Sequence, residues 1–425
     1  MTKFKQARFG VIAAVMGISA VSFFISLGAY ADTPASESKA AADVLRVEIS
    51  KPMIAAKALF DANKTTEALA KIAETDAVSD KTPYEIFAIE RTRGDYYLKA
   101  GDKVKSAQSF EAVIATNYLR KADQLNLMQI IGQLYFQSSN YPLAISWSER
   151  YFKEGGLDAR TNDILYKSYF LNKDYAQAYK GFTTYVQQEL AAGRIPDEQH
   201  LQLVLNCASQ LNDKEGTLKA VVQLTTYYPS VKQWNYLVSQ IHTKPGFSDK
   251  LFLDLYRLKQ ELSLIKTAPE FLDMSELATR AGLPAEAKKA LDQGFAAGLL
   301  DKGADAKKNA ALLDNANKRA AEDLKTMQQG EAGAAKSKDG AALTNLGMAY
   351  ATAGQYDKGA SLIEQGISKG GFSRLEEAKL HLGLVYYWAG RKEDAVKQLK
   401  TVAATDGTAE IAQYWIMQIN HPLSK

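Results

Sequence analysis

Apolar residues recur along most of this chain at i, i+3, i+4 and i+7, the spacing that gathers side chains on one face of an α-helix. Two C-terminal stretches carry the pattern most regularly. In the first, Leu343–Gly366, the marker positions are Leu346-Gly347, Tyr350, Gly354, Tyr356, Gly359 and Ile363. In the second, Leu382–Val402, Leu382-Gly383, Tyr386, Gly390, Lys392, Ala395 and Leu399 repeat those offsets 36 residues later. Repetition at this period predicts a stack of antiparallel helix pairs, each pair burying its apolar face against the next. Large residues knit neighbouring pairs, small residues sit where two helices approach closely, and a turn residue separates the helices.

The same pattern runs back toward the N-terminus. Gly94, Tyr97, Gly101 and Phe110 mark one unit, Gly132, Tyr135, Tyr141, Ala144 and Tyr151 the next, and Tyr166, Tyr169, Tyr175, Ala178, Phe182 and Tyr185 the one after. Weaker units are built on Ala56, Leu59, Ala68 and Ile72, and on Leu205, Ala208, Val221 and Leu224. Trp234, Leu237 and Ile241 open another first helix. Pro245-Gly246 then predicts a long turn before a helix from about Ser248 to Ile265. Ala278, Gly282, Ala287 and Leu291 restore the pattern, and Ala409 to Ile419 predicts a terminal capping helix without a partner.

On these residues the chain resembles the tetratricopeptide-repeat family over about Ile49 to Ala404, most strongly at Gly132, Tyr169, Gly347 and Gly383. The family's signature Trp is missing from most units, and its proline after the second helix stands clearly only at Pro229. The resemblance implies an all-α, right-handed superhelical solenoid of antiparallel helix pairs, about eight to ten hairpins with a C-terminal capping helix.

One stretch departs from the pattern. From Phe295 to Tyr350 no aromatic residue intervenes, in a chain that is 10% aromatic. Ala306 to Met327 keeps helical spacing through Leu312, Leu313, Ala316 and Ala320, whereas Gly330 to Gly340 predicts a loop. With no large residues to bury, residues 301–339 are expected to stack weakly, as a degenerate repeat or as a hinge. The expected organisation is therefore 47–300 as an N-terminal solenoid, 301–339 as an Ala/Lys-rich helix and loop, and 340–425 as a C-terminal repeat pair with its cap.

The N-terminus predicts export. Lys3, Lys5 and Arg8 precede an uncharged apolar run from Val11 to Leu27, and Ala29-Tyr30-Ala31 supplies small residues for cleavage after Ala31. Residues 1–31 are thus a signal peptide and 32–46 a poorly ordered linker, with a periplasmic mature chain; an uncleaved helix would instead be a membrane anchor. Removing Lys3, Lys5 and Arg8 takes the charge from 52 basic against 48 acidic residues to 49 against 48. That near-neutral balance gives no nucleic-acid footprint. Cys207 is the single cysteine, so no intrachain disulfide forms, and its apolar setting predicts a buried thiol.

The sequence offers no catalytic constellation. His200, His242, His381 and His421 are scattered without metal-ligand spacing. No Gly-x-Ser-x-Gly elbow occurs, and Ala360 stands where a phosphate-binding loop after Gly354 and Gly359 needs a lysine. Glu376-Glu377 and Glu393-Asp394 are expected to be solvated charge at helix starts. No enzyme activity, cofactor, metal or small-molecule substrate is expected.

Binding remains. The family resemblance implies that the first helix of each pair lines a concave groove with the positions it does not use for packing. That register selects Arg91, Asp95, Asn126, Gln129, Gln133, Phe136, Arg160, Asp163, Lys167 and Phe170, and Glu377, Tyr387 and Trp388 near the C-terminus. Amides, opposite charges and aromatics suit an extended peptide, although the same residues also serve as ordinary helix surface and hairpin packing. A Lys/Asn clamp for a terminal carboxylate is absent: Asn345 has one suitable offset and no matching pair. The expectation is a non-catalytic scaffold binding a protein or peptide of the bacterial envelope, or else an accessory subunit regulating an envelope enzyme such as cell-wall synthesis machinery. Membrane association would come through a partner or an uncleaved N-terminal helix.

Overall fold

The computed structural model describes residues 43–423. The predicted signal peptide, and the linker up to residue 42, lie outside the described residues. Among the described residues there are twenty α-helices, two short 3-10 turns and no strand, so the chain is an all-α solenoid of helix pairs. No helix in this range is long and apolar enough to cross a membrane. The chain divides into two compact units, one ending at Leu127 and the other beginning at Met128.

The first unit holds α1 (Val47–Asp61), α2 (Thr65–Ala73), α3 (Pro83–Lys99) and α4 (Lys103–Ala115), with α5 (Lys121–Gln137) carrying the boundary. Ile49, Ala56, Ala68, Ile72, Ile89 and Tyr96 form its buried cluster. Just ahead of α1, the Arg46 guanidinium grips both oxygens of Glu85 at 2.8 Å. Glu85 also closes a capping box with Thr82 at the start of α3. The Arg46 hydrogen bond, with backbone donors behind it, holds the Glu85 carboxyl down at about 2.

The second unit continues with α6 (Tyr141–Lys153), α7 (Ala159–Leu171), α8 (Tyr175–Ala191), α9 (Glu198–Gln210), α10 (Lys214–Tyr227), α11 (Val231–Ile241) and α12 (Phe252–Glu261). Then come α13 (Ala268–Arg280), α14 (Pro284–Ala296), α15 (Ala306–Lys336), α16 (Ala341–Thr352), α17 (Tyr356–Lys369), α18 (Leu375–Trp388), α19 (Lys392–Leu399) and α20 (Thr408–Asn420). The helix expected from Ser248 begins as a 3-10 turn at Asp249–Leu251 and becomes α-helical only at Phe252.

A short turn device repeats between the helices of a pair. A residue in the left-handed region ends the first helix, and an Asp or Asn beside it caps the second. Gly101 (φ 82°), Ser139 (φ 61°), Lys173 (φ 65°) and Asn212 (φ 56°) fill the first role. Asp102, Asn140, Asp174 and Asp213 fill the second, each accepting a backbone N–H from the first turn of the next helix. The Asp102 N–H also returns to the Tyr97 carbonyl at 2.9 Å, which satisfies a carbonyl the helix end would leave open.

The markers at Gly347 and Gly359 have a steric cause. A Cβ placed on Gly347 would lie 2.7 Å from the Gly359 carbonyl oxygen, and one on Gly359 would lie 2.6 Å from that of Gly347. Two turns away, Gly366 and Gly340 make the same kind of approach. Helices α16 and α17 therefore meet backbone to backbone, at a distance only glycine permits.

Two expectations need correction. The stretch read as a loop from Gly330 to Gly340 is helical as far as Lys336, so α15 is one helix of 31 residues. Alanine, lysine, glutamate and glutamine around Gly330 and Gly333 favour helix strongly enough to carry both glycines. The end of α15 is also held from outside: Glu331 accepts from Lys358 at 2.5 Å and from the Tyr350 hydroxyl, and the Ala335 carbonyl accepts from Lys369 at 2.7 Å. As the composition implies, its buried stripe is thin, consisting of Asn309, Ala316, Ala320, Met327 and Ala334.

The capping helix, in turn, has more partners than expected. Helix α20 packs on α18 and α19, and also on α10 and α12. Trp415, Ile411 and Tyr414 share one core with Trp234, Leu251, Leu255 and Leu258. The C-terminal repeats thus fold back onto the middle of the unit.

Candidate functional site

The register-selected residues do not share one environment. In the first unit, Arg91 and Asp95 face each other across a turn of α3 at 3.7 Å, both about two-fifths exposed. The Arg91 guanidinium lies 5.4 Å over the Phe110 ring. Burial raises the Asp95 carboxyl above its ordinary value, against the pull of Arg91. Asn126 is exposed on α5.

In the second unit, Gln129 is committed to structure. Its amide donates to the Tyr151 hydroxyl at 3.1 Å and to Thr161 Oγ1 at 3.2 Å, clasping α6 to α7. The same Tyr151 oxygen accepts the backbone N–H groups of Leu157 and Asp158, fixing the turn between these helices. One helical turn on from Gln129, Gln133 is exposed. Phe136 is half-buried, its ring 6.1 Å from Tyr141 across the turn; Phe170 repeats that arrangement 5.7 Å from Tyr175. These two aromatics lock the ends of their hairpins.

On α7, Arg160 is exposed and makes no ion pair among the described residues. Asp163 accepts from Lys167 at 2.7 Å and contacts His200 Nε2 at 2.9 Å. Burial alone would raise its carboxyl; the hydrogen bonds from His200 and Lys167 outweigh that and hold it below the ordinary value. His200 Nδ1 is buried without a hydrogen bond, and the imidazole lies 4.3 Å from the Tyr185 ring. In the second unit, the register-selected polar residues left exposed on these two helices are Gln133 and Arg160, bordered by Phe136 and by the charges of Asp163 and Lys167.

The C-terminal candidates lie elsewhere. The Tyr387 hydroxyl donates to Glu261 of α12 at 2.8 Å, and its ring packs edge-on to Trp415 at 5.5 Å. Trp388 is half-buried against both large cores of the unit. Glu377 is mostly buried and pairs with Arg374 at 2.5 Å, and burial raises its carboxyl despite His381 nearby. Glu376 accepts from Lys379 and from the Ala403 backbone, so this acidic pair is not the solvated charge that its helix-start position implied. Helix α18 therefore meets α20 through Trp415 and α12 through Glu261 of the same chain.

That contact contains a buried ionic cluster which pattern reading alone does not find. Arg257 on α12 donates to Asp254 Oδ1 at 2.7 Å and, in a two-pronged pair, to Glu286 of α14 at 2.7 and 2.6 Å. His381 Nε2 of α18 lies 3.0 Å from the same Asp254 oxygen. Asp254, Arg257 and Glu286 are all buried. Burial alone would raise the Asp254 carboxyl, but His381 and Arg257 together hold it at about 2. The available signal was Asp254 and Arg257 lying in the same helical arc as Leu251, Leu255 and Leu258, where solvated charge does not belong.

Asp254, Glu377 and His381 bring three potential ligand atoms within 4.8 Å of one another. The Arg257 guanidinium, 2.7 Å from Asp254 Oδ1 and 3.3 Å from His381 Nε2, already supplies the positive charge that such a set would seek. The cluster is a buried ionic joint between the middle and the end of the unit.

No protein-family model matches this sequence, and comparison with curated proteins finds no match. Solved structures are similar in their helical architecture. A tetratricopeptide repeat protein from Parabacteroides merdae aligns over 78% of this chain and 98% of its own, at 10% identity and a TM-score of 0.29. Yeast Tom70 aligns over 87% and 95% of the two chains, at 10% identity and a TM-score of 0.24. A structure of Naa15/Naa10 bound to HypK-THB aligns over 87% of this chain and 60% of that one, at 14% identity and a TM-score of 0.32. The helix-pair solenoid assigned here stands on the chain's own repeats and turns.

Proposed function

We propose that this chain is a non-catalytic scaffold of the bacterial envelope that binds an extended segment of a partner protein on the first-helix face of α5 and α7. The observation that carries this reading is a contrast between equivalent positions. At one register position Arg160 is exposed on α7, whereas Glu377 on α18 is mostly buried and paired with Arg374; at another, Gln133 is exposed on α5, whereas Leu384 on α18 is buried. Gln133 offers donors and an acceptor to a peptide backbone, Arg160 offers a charge-assisted donor, and Phe136 offers an apolar shelf. Export follows from the N-terminal leader, and sequencing of the secreted chain is expected to start at Asp32.

The binding test places a photocrosslinking residue at position 133 or 160, with position 325 on α15 as the control. Crosslinks specific to 133 and 160 identify the partner. With that partner purified, the double variant Gln133→Ala/Arg160→Ala is expected to bind about tenfold more weakly without loss of folding. Equal affinity for the variant and the wild type would place the partner on another surface.

A further inference from the structure

Beyond the first-helix face, the second unit carries a separate cleft of about 560 Å³ between α19 and the end of α20. It is lined by Lys392, Glu393, Val396, Lys397, Lys400, Ile419 and Asn420. The α19 side is one helical face, because these residues follow one another at i, i+1, i+4, i+5 and i+8. The three lysines are exposed and make no ion pair among the described residues, while the cations beside them are matched: Arg391 with Asp394, and Lys379 with Glu376.

The charge of the cleft is three lysines against one glutamate. Local helix electrostatics accounts for only part of that excess. Lys397 and Lys400 suit the negative end of α19, but Lys392 is its first residue, where the helix dipole disfavours a cation. The C-terminal end of α20 contributes roughly half a negative charge, which leaves the cleft positive.

We infer that this cleft docks a short acidic segment of a partner protein, with an aliphatic or aromatic side chain on Val396 and Ile419 and flanking carboxylates on the lysines. The spacing favours a chain over a single anion. Lys392 and Lys400 are eight residues apart on a helix, about 12 Å along its axis, a span that about four residues of extended chain would cover. One phosphate cannot reach both ends. Val396, partly exposed, and Ile419, mostly buried, offer one small apolar contact among the lysines, which suits a single apolar side chain.

The test uses the full chain and a fluorescein-labelled peptide, Gly-Asp-Glu-Phe-Asp-Glu-Gly, read by fluorescence anisotropy. Binding is expected to weaken at least about tenfold in the triple variant K392E/K397E/K400E and to fall with rising salt. Replacing the peptide's Phe by Gly is expected to weaken it to a similar degree. All three lysines are exposed, and a circular dichroism spectrum checks that the variant stays folded. Three results would overturn the inference: equal affinity for wild type and triple variant, displacement of the peptide by equimolar inorganic phosphate, or capture by phosphatidylglycerol vesicles with the peptide unbound. The Gln133→Ala/Arg160→Ala variant lies on other helices and is expected to bind this peptide normally, so the two surfaces succeed or fail separately.

Discussion

His381 Nε2 meets Asp254 Oδ1 at 3.0 Å although the two residues stand 127 positions apart. The contact joins α18 to α12 and lies beside Arg257, so the fold-back of the C-terminal repeats depends on a charge set that is nearly shielded from water. Removing one member leaves its neighbours unmatched, which costs far more than losing a surface pair.

Asp254→Asn is accordingly expected to lower stability by about 3 kcal/mol near neutral pH, measured by urea denaturation. The pH dependence has a definite sign. The folded carboxyl is held at about 2, below its ordinary unfolded value of about 3.9. Its contribution is therefore complete above pH 4 and is lost as the pH falls from about 4 through about 2. The stability difference between wild type and Asp254→Asn should shrink across that window. A difference that stays constant from pH 7 to pH 2 would show that the carboxylate charge is not what holds the joint.

Glycines in neighbouring helices should respond to alanine with opposite signs. Gly330 and Gly333 lie inside α15, where an added Cβ would meet nothing within 4 Å, so Gly330→Ala and Gly333→Ala should each stabilise by about 0.5–1 kcal/mol. Gly347→Ala forces a methyl against the Gly359 carbonyl and Ile363, and should destabilise by about 2 kcal/mol. Thermal unfolding of the three variants reads both signs. Loss of stability in Gly330→Ala would restore the loop expected from sequence.

Cys207 is fully buried, and burial pushes its thiol up to about 12. A disulfide thiol reagent at pH 8 is expected to leave the folded chain untouched and to modify one thiol per chain after denaturation. Prompt labelling of the native protein would mean that α9 opens readily.

What sequence reading recovers here is local. The hairpins at Gly347 and Gly383, and the capped turns at Asp102 and Asp174, are written within a few residues of one another, so periodicity and turn chemistry find them. The length of α15 was obscured because two glycines outweighed the strong helix formers around them. The commitment of Tyr387 was illegible for a different reason: its partner, Glu261, is more than a hundred residues away, and a repeat register describes only neighbours. The candidate surface consequently contracts to α5 and α7, where Gln129, Phe136 and Phe170 are partly spent on packing and Gln133 and Arg160 are not.

Helix α15 has one more consequence, which is mechanical. At 31 residues it is about 46 Å long, more than twice the length of a 13-residue neighbour such as α13 or α14. No such neighbour can flank it from end to end, which is why Leu312 and Leu324 stand open along it. Its far end is nonetheless bolted to α16 and α17 through Glu331 and Ala335. One unbroken helix therefore links α14 to the C-terminal hairpins, so the two are joined by hydrogen-bonded backbone rather than by a free loop.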